Sequence, residues 1–61
     1  MGYIQNQIIN IGKDKGFVTN IDILAFYQGS KIQQEMNKLI AQGYFGPAKD
    51  CTTYIKWKYL K

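Results

Sequence analysis

The side chains best equipped for chemistry lie in one nine-residue stretch and in the last quarter of the chain. The first group is Ser30, Lys31, Gln34, Asn37 and Lys38. Gln and Asn each offer a donor and an acceptor side by side, and lysine is a compact, hydrated point charge that meets anions well. The second group is Lys49, Tyr54, Lys56 and Lys58. Three ammonium groups and one phenol at short spacing suit an anion with repeated charges.

What is missing is equally informative. The chain has 61 residues, no histidine and one cysteine, Cys51. That stock excludes a zinc site, a Cys–His pair and a Ser–His–Asp triad. The four acids, Asp14, Asp22, Glu35 and Asp50, show no paired-carboxylate pattern. The expectation is a non-enzyme with no cofactor and no metal. A lone cysteine allows no internal disulfide, which points to a cytoplasmic or nucleoid-associated protein, and Cys51 reads as an inert residue. No apolar run reaches the roughly 20 residues of a membrane span, and the start Met1-Gly2-Tyr3-Ile4-Gln5-Asn6 has no signal-peptide pattern. The net charge is +4, and all eight basic residues are lysine. An anionic partner is implied, met more through phosphate than through the bidentate guanine contacts that arginine makes.

These groups need elements to hold them. With 46% hydrophobic and 15% aromatic residues, the chain can form one small core, and its length allows a single domain spanning residues 1–61. Ile4, Ile8 and Ile11 fall on one helical face, predicting a first helix over 3–15 that stops at Gly16. Ile9 lies off that stripe, as a core flank or a partner surface. Phe17-Val18 favours a brief strand. Thr19 with Asp22 reads as a capping box opening a second helix over 20–28. That helix carries Ile21, Ile23, Leu24, Phe26 and Tyr27, apolar almost all round, and is expected in mid-core. Ser30 with Gln33 reads as a second capping box, starting a third helix over 31–42 whose buried stripe is Ile32, Met36, Leu39 and Ile40. Gly43 ends it. Tyr44-Phe45 is a strand candidate, Gly46-Pro47-Ala48-Lys49-Asp50 a turn-rich loop, and Thr52 to Tyr59 alternates as a half-buried strand. The expected wing-like hairpin spans 44–59 with Lys49 at its tip. Trp57 and Tyr59 read as core residues.

The order helix, strand, helix, turn, helix, hairpin resembles the winged helix-turn-helix family of DNA-binding domains. The most specific stretch is Ile32-x3-Met36-x2-Leu39-x3-Gly43-Tyr44-Phe45, with Phe17-Val18-Thr19 leading into the second helix. The resemblance covers about Ile4 to Tyr59. It implies an α+β fold, a three-helix bundle with a C-terminal β-hairpin and a two- to three-stranded antiparallel sheet. The interval from Thr19 to Ile32 is a residue or two shorter than in many members, implying a truncated second helix or turn, and the wing carries no arginine.

The functional expectation is a double-stranded DNA-binding domain, as in a small transcriptional regulator or nucleoid-type factor. The third helix would enter the major groove, with Gln34 and Asn37 at base edges. Ser30 and Lys31 at its start, and Lys38, would meet phosphate, and small Ala41 would allow close approach. Lys49, Tyr54, Lys56 and Lys58 would touch the adjacent backbone. Four or five lysines acting together predict a log–log salt slope near −4. Competing readings stand beside this one. The helix face is also what any soluble helix exposes, and Lys56 and Lys58 also suit the protection of a sheet edge. The alternative function is a protein-protein interaction module in a replication, transcription or sorting assembly. Ile9 and the tail Tyr59-Leu60-Lys61 are the candidates for a homodimer or larger assembly.

Overall fold

The computed structural model describes residues 2–61; Met1 lies outside them. The chain is α+β, with three helices and one three-stranded antiparallel sheet. Helix α1 spans Tyr3–Lys15 and ends as its glycine demands. Gly16 takes a left-handed φ of 86°, and its N–H returns to the Gly12 carbonyl. Lys13 and Lys15 sit in the last turn, against the negative end of the helix dipole. The released chain extends at once into β1, Phe17–Thr19.

Helix α2, Asn20–Leu24, starts on the expected capping box. The Asp22 N–H donates to Thr19 Oγ1 at 3.2 Å, and the Thr19 N–H donates to Asp22 Oδ2 at 3.1 Å. Its end corrects the sequence reading, which ran to residue 28. The Phe26 N–H bonds to the Ile23 carbonyl, tightening the chain out of the helix. Nor is α2 wrapped in core. Ile23 is fully buried, but Ile21 and Leu24 are 56% and 51% exposed. A helix little longer than one turn has only one side to bury.

Helix α3 spans Gly29–Ala41, two residues earlier than expected. Gln28 occupies the cap position with no side-chain bond, so the Ser30–Gln33 capping box does not form. Ser30 lies within the first turn, exposed. At the other end the Gly43 N–H bonds to Ile40 O and the Tyr44 N–H to Leu39 O, with Gly43 at φ 84°. These two bonds satisfy the last carbonyls and turn the chain sharply.

The hairpin is also displaced from its expected position. Its strands are β2, Lys49–Asp50, and β3, Ile55–Lys58, joined by a tip at residues 51–54 closed by the Cys51 N–H to Tyr54 O bond. Lys49 therefore lies in a strand, paired with Lys56, and not at the tip. Tyr44 is outside the strands, and Phe45 makes only an isolated bridge to Tyr59. Between that bridge and the Lys49–Lys56 pair, residues 46–48 lie opposite residues 57–58. The surplus residue is absorbed around Pro47, which has no N–H to offer a ladder.

The sheet order is β1-β3-β2, so β3 is the central strand. This removes edge protection as a role for Lys56 and Lys58. Trp57, at the middle of β3 and opposite Val18, is 1% exposed. It shares one core with Ile8, Ile9, Val18, Ile23, Met36, Leu39 and Phe45. Ile9 is 6% exposed, so it belongs to the core and offers no partner surface. No helix among the described residues is long and apolar enough to cross a membrane.

Candidate nucleic-acid interface

Helix α3 presents its polar residues because its stripe anchors it. Ile32, Met36 and Leu39 are buried. At about 100° per residue, this leaves Ser30, Gln34, Asn37 and Ala41 pointing away from the core. Lys31 and Lys38 flank them on one side and Gln33 on the other. All seven are exposed. The flanks differ. On the first, Glu35 turns toward α1, where its Oε1 accepts from Gln5 Nε2 at 3.1 Å. Its Oε2 lies 3.5 Å from Lys38 Nζ. The carboxylate side chain is only 13% exposed and that of Lys38 is 51% exposed, so the ridge itself shows ammonium and amide groups. The Lys31 and Gln34 side chains make no hydrogen bond or ion pair among the described residues.

On the second flank, Gln33 Nε2 donates to Asn37 Oδ1 at 2.9 Å. That bond leaves the Asn37 amide N–H groups free to donate outward. Gln33 thus serves Asn37 and not the cap its place after Ser30 suggests, and its i,i+4 spacing from Asn37 is the sequence signal for that role. Gln33 also lines a groove of about 140 Å3 together with Gly29, Asn20, Ile55 and Trp57. Asn20 fixes the other wall, its Oδ1 accepting from the Ile55 N–H at 2.9 Å. One bond thus ties the hairpin to the start of α2. This clamp had no sequence signature beyond the residue type.

The lysines of the hairpin lie elsewhere. Alternation along β3 puts Ile55 and Trp57 on the groove side and Lys56 and Lys58 on the reverse. There Lys58 stands opposite Phe17, and Lys56 between Thr19 and Lys49. The expected site residues therefore divide. Ser30, Lys31, Gln34, Asn37 and Lys38 share the α3 ridge. Lys49, Lys56 and Lys58 share a cleft on the outer face of the sheet, with Phe17 and Pro47. Tyr54 belongs to the tip. Hydrogen bonding and then charge at the nearby Cys51 sulfur hold the Tyr54 phenol above its ordinary pKa of 10.0. Between ridge and sheet sits the buttress of α2. Burial acts to raise the pKa of Asp22, but hydrogen bonds from Lys15 and Thr19 outweigh it and hold the carboxyl below its ordinary 3.8.

No protein family, curated protein or solved structure matches the chain. The functional reading rests on the residues and their geometry.

Proposed function

We propose that this chain is a non-covalent double-stranded DNA-binding domain whose α3 enters the major groove. The observation that carries the reading is the α3 ridge: exposed amides and ammonium groups around small Ala41, with the single acid of the helix turned aside to α1. An α-helix fits the major groove, where Asn and Gln can pair with adenine edges and lysine with phosphate. The order of elements, with β1 and the hairpin flanking the helices, supports the likeness to winged helix-turn-helix domains. In such an arrangement the exposed tip residues Thr52 and Thr53 would lie toward the duplex backbone. A module of this size covers about 600–1,000 Å2.

The ridge carries two lysines, Lys31 and Lys38. Binding through this face alone gives a log–log salt slope near −2, shallower than the slope of about −4 for four or five lysines acting together. Gln34→Ala is expected to relax sequence preference, at a cost of about 1–3 kcal/mol on the preferred site only. Lys38→Ala is expected to weaken all duplexes alike. A panel of duplexes titrated at two salt concentrations tests both. Equal loss across the panel for Gln34→Ala would remove base reading by α3.

One observation favours a second reading. Ile21 and Leu24 leave apolar surface on α2, and Leu24 borders the groove between α3 and β3. A protein-interaction module would use that surface. If no duplex binds better than millimolar at low salt, this reading takes over.

A further inference from the structure

The outer face of the sheet is built like a second anion site. Lys49 and Lys56 are direct cross-strand partners, with Cβ atoms about 5 Å apart. Like charges so placed destabilise a sheet, and no carboxylate lines the cleft among the described residues. Lys58 follows Lys56 on the same face, about 6.6 Å along the strand, on the scale of the step between neighbouring phosphates of one nucleic-acid strand. Because β3 is central, both lysines stand over a supported surface and not on a fraying edge. Lys49 and Lys58 make no side-chain hydrogen bond or ion pair among the described residues. Lys56 Nζ rests 4.4 Å from the centroid of the Phe17 ring. Asp50, next to Lys49, stands opposite Ile55 on the reverse face, and Asp22 is already paired with Lys15 at 2.8 Å. The cleft that results holds about 330 Å3, walled by Phe17 and Pro47 and open beside Gly16.

We propose that this cleft holds the phosphate backbone of a second DNA duplex, so that one domain bridges two duplexes. The inference rests on the reading of α3 as a duplex-binding ridge. The two surfaces lie on opposite sides of the β3 ribbon: Ile55 and Trp57 line the groove shared with α3, and Lys56 and Lys58 line the cleft. Bridging requires that a duplex seated on α3 leave the cleft uncovered. The chemistry also selects the ligand. Ammonium groups without a fork-like donor or a shaped polar pocket suit a repeating polyanion better than one small anion. The Phe17 ring is already flanked by Lys56 and by Lys15, the latter 4.6 Å from its centroid, so it is no free platform for an unpaired base.

The test is a titration of the isotope-labelled chain with a duplex of about ten base pairs, one helical turn, followed by backbone and lysine chemical shifts. Two separately saturating sets of shifts are expected, one on α3 and one at Phe17, Lys49, Lys56 and Lys58. In the variant Lys31→Gln/Gln34→Ala the sheet set persists. In Lys49→Gln/Lys58→Gln the sheet affinity falls about tenfold, from two lost phosphate contacts, while the α3 set changes little. The same sheet variant then loses capture of a labelled duplex by a bead-bound one, an effect that a dimer bridging through α3 alone would not show. An α3 set with no sheet set overturns the bridging inference and leaves the DNA-binding reading intact. Both sets lost together in either variant reveal one footprint and overturn it too. A sheet set with no α3 set removes the reading of α3 and the bridging with it. A single strand that outbinds the duplex at the sheet overturns the choice of ligand.

Discussion

Trp57→Ala is expected to remove about 3–5 kcal/mol, half or more of the domain's stability at room temperature. A domain of 61 residues has about 3–9 kcal/mol of stability at usual values per residue. Truncating a buried tryptophan costs about 3–5 kcal/mol, since the lost transfer energy is joined by the cavity left behind. Trp57 is the largest fully buried side chain and sits on the central strand, so surrounding groups from α2, α3 and β1 cannot close over the gap without moving the sheet. Its indole N–H finds no acceptor among the described residues, an uncompensated cost in the folded state. Trp57→Phe removes that donor while keeping most of the bulk, and its expected loss is under half that of alanine. Denaturant unfolding followed by circular dichroism measures both. A cooperative alanine variant within about 1 kcal/mol of the parent would show that the core does not depend on this ring.

Gly12→Ala is expected to destabilise the domain by about 1–3 kcal/mol, although alanine is the better helix former. Propensity alone predicts a gain of about 0.5–1 kcal/mol at a mid-helix glycine. Packing decides against it. A Cβ at position 12 would lie 2.7 Å from Phe45 Cζ and 2.8 Å from both Phe45 Cε1 and Tyr59 Cδ1. Those two rings meet edge to face, with centroids 5.4 Å apart, and Phe45 is 1% exposed. Neither is a loose side-chain end that could swing aside. The same contact fixes where the last residues of the chain lie against α1. Thermal melts of the two proteins settle the sign, and a variant more stable than the parent would mean that the rings have room to give.

These residues also mark what could be read from the sequence and what could not. The α1 boundaries, the Thr19–Asp22 cap, the α3 stripe and the Gly43 stop were legible because each depends on neighbours within a few positions. The buried place of Trp57 followed from strict alternation along its strand. Gly12 passed unmarked, since its reason is two aromatic rings more than thirty positions away. Ser30 carried the letters of a cap, but α3 begins one residue before it. Gly46-Pro47 looks like a turn and so suggests a tip at Lys49; the surplus residue is instead absorbed around Pro47 and the chain turns later, at residues 51–54. Of the candidate site, the ridge on α3 was legible from helical period. The separation of Lys49, Lys56 and Lys58 from it was not, because that needs the position of β3 in the sheet, which local pattern does not encode.

The strand order has a kinetic side. The middle of the sheet is contributed by the last strand in the chain, whose partner β1 lies nearly forty positions earlier. The β2–β3 ribbon can zip up locally, within microseconds for a hairpin, yet gains its neighbour only after a long loop closes. Assembly is thus gated by one distant encounter, Val18 meeting Trp57. Shortening the path between them, for example by linking Lys61 to Gly2 and reopening the chain within the 51–54 turn, would alter the speed of folding far more than the final contacts.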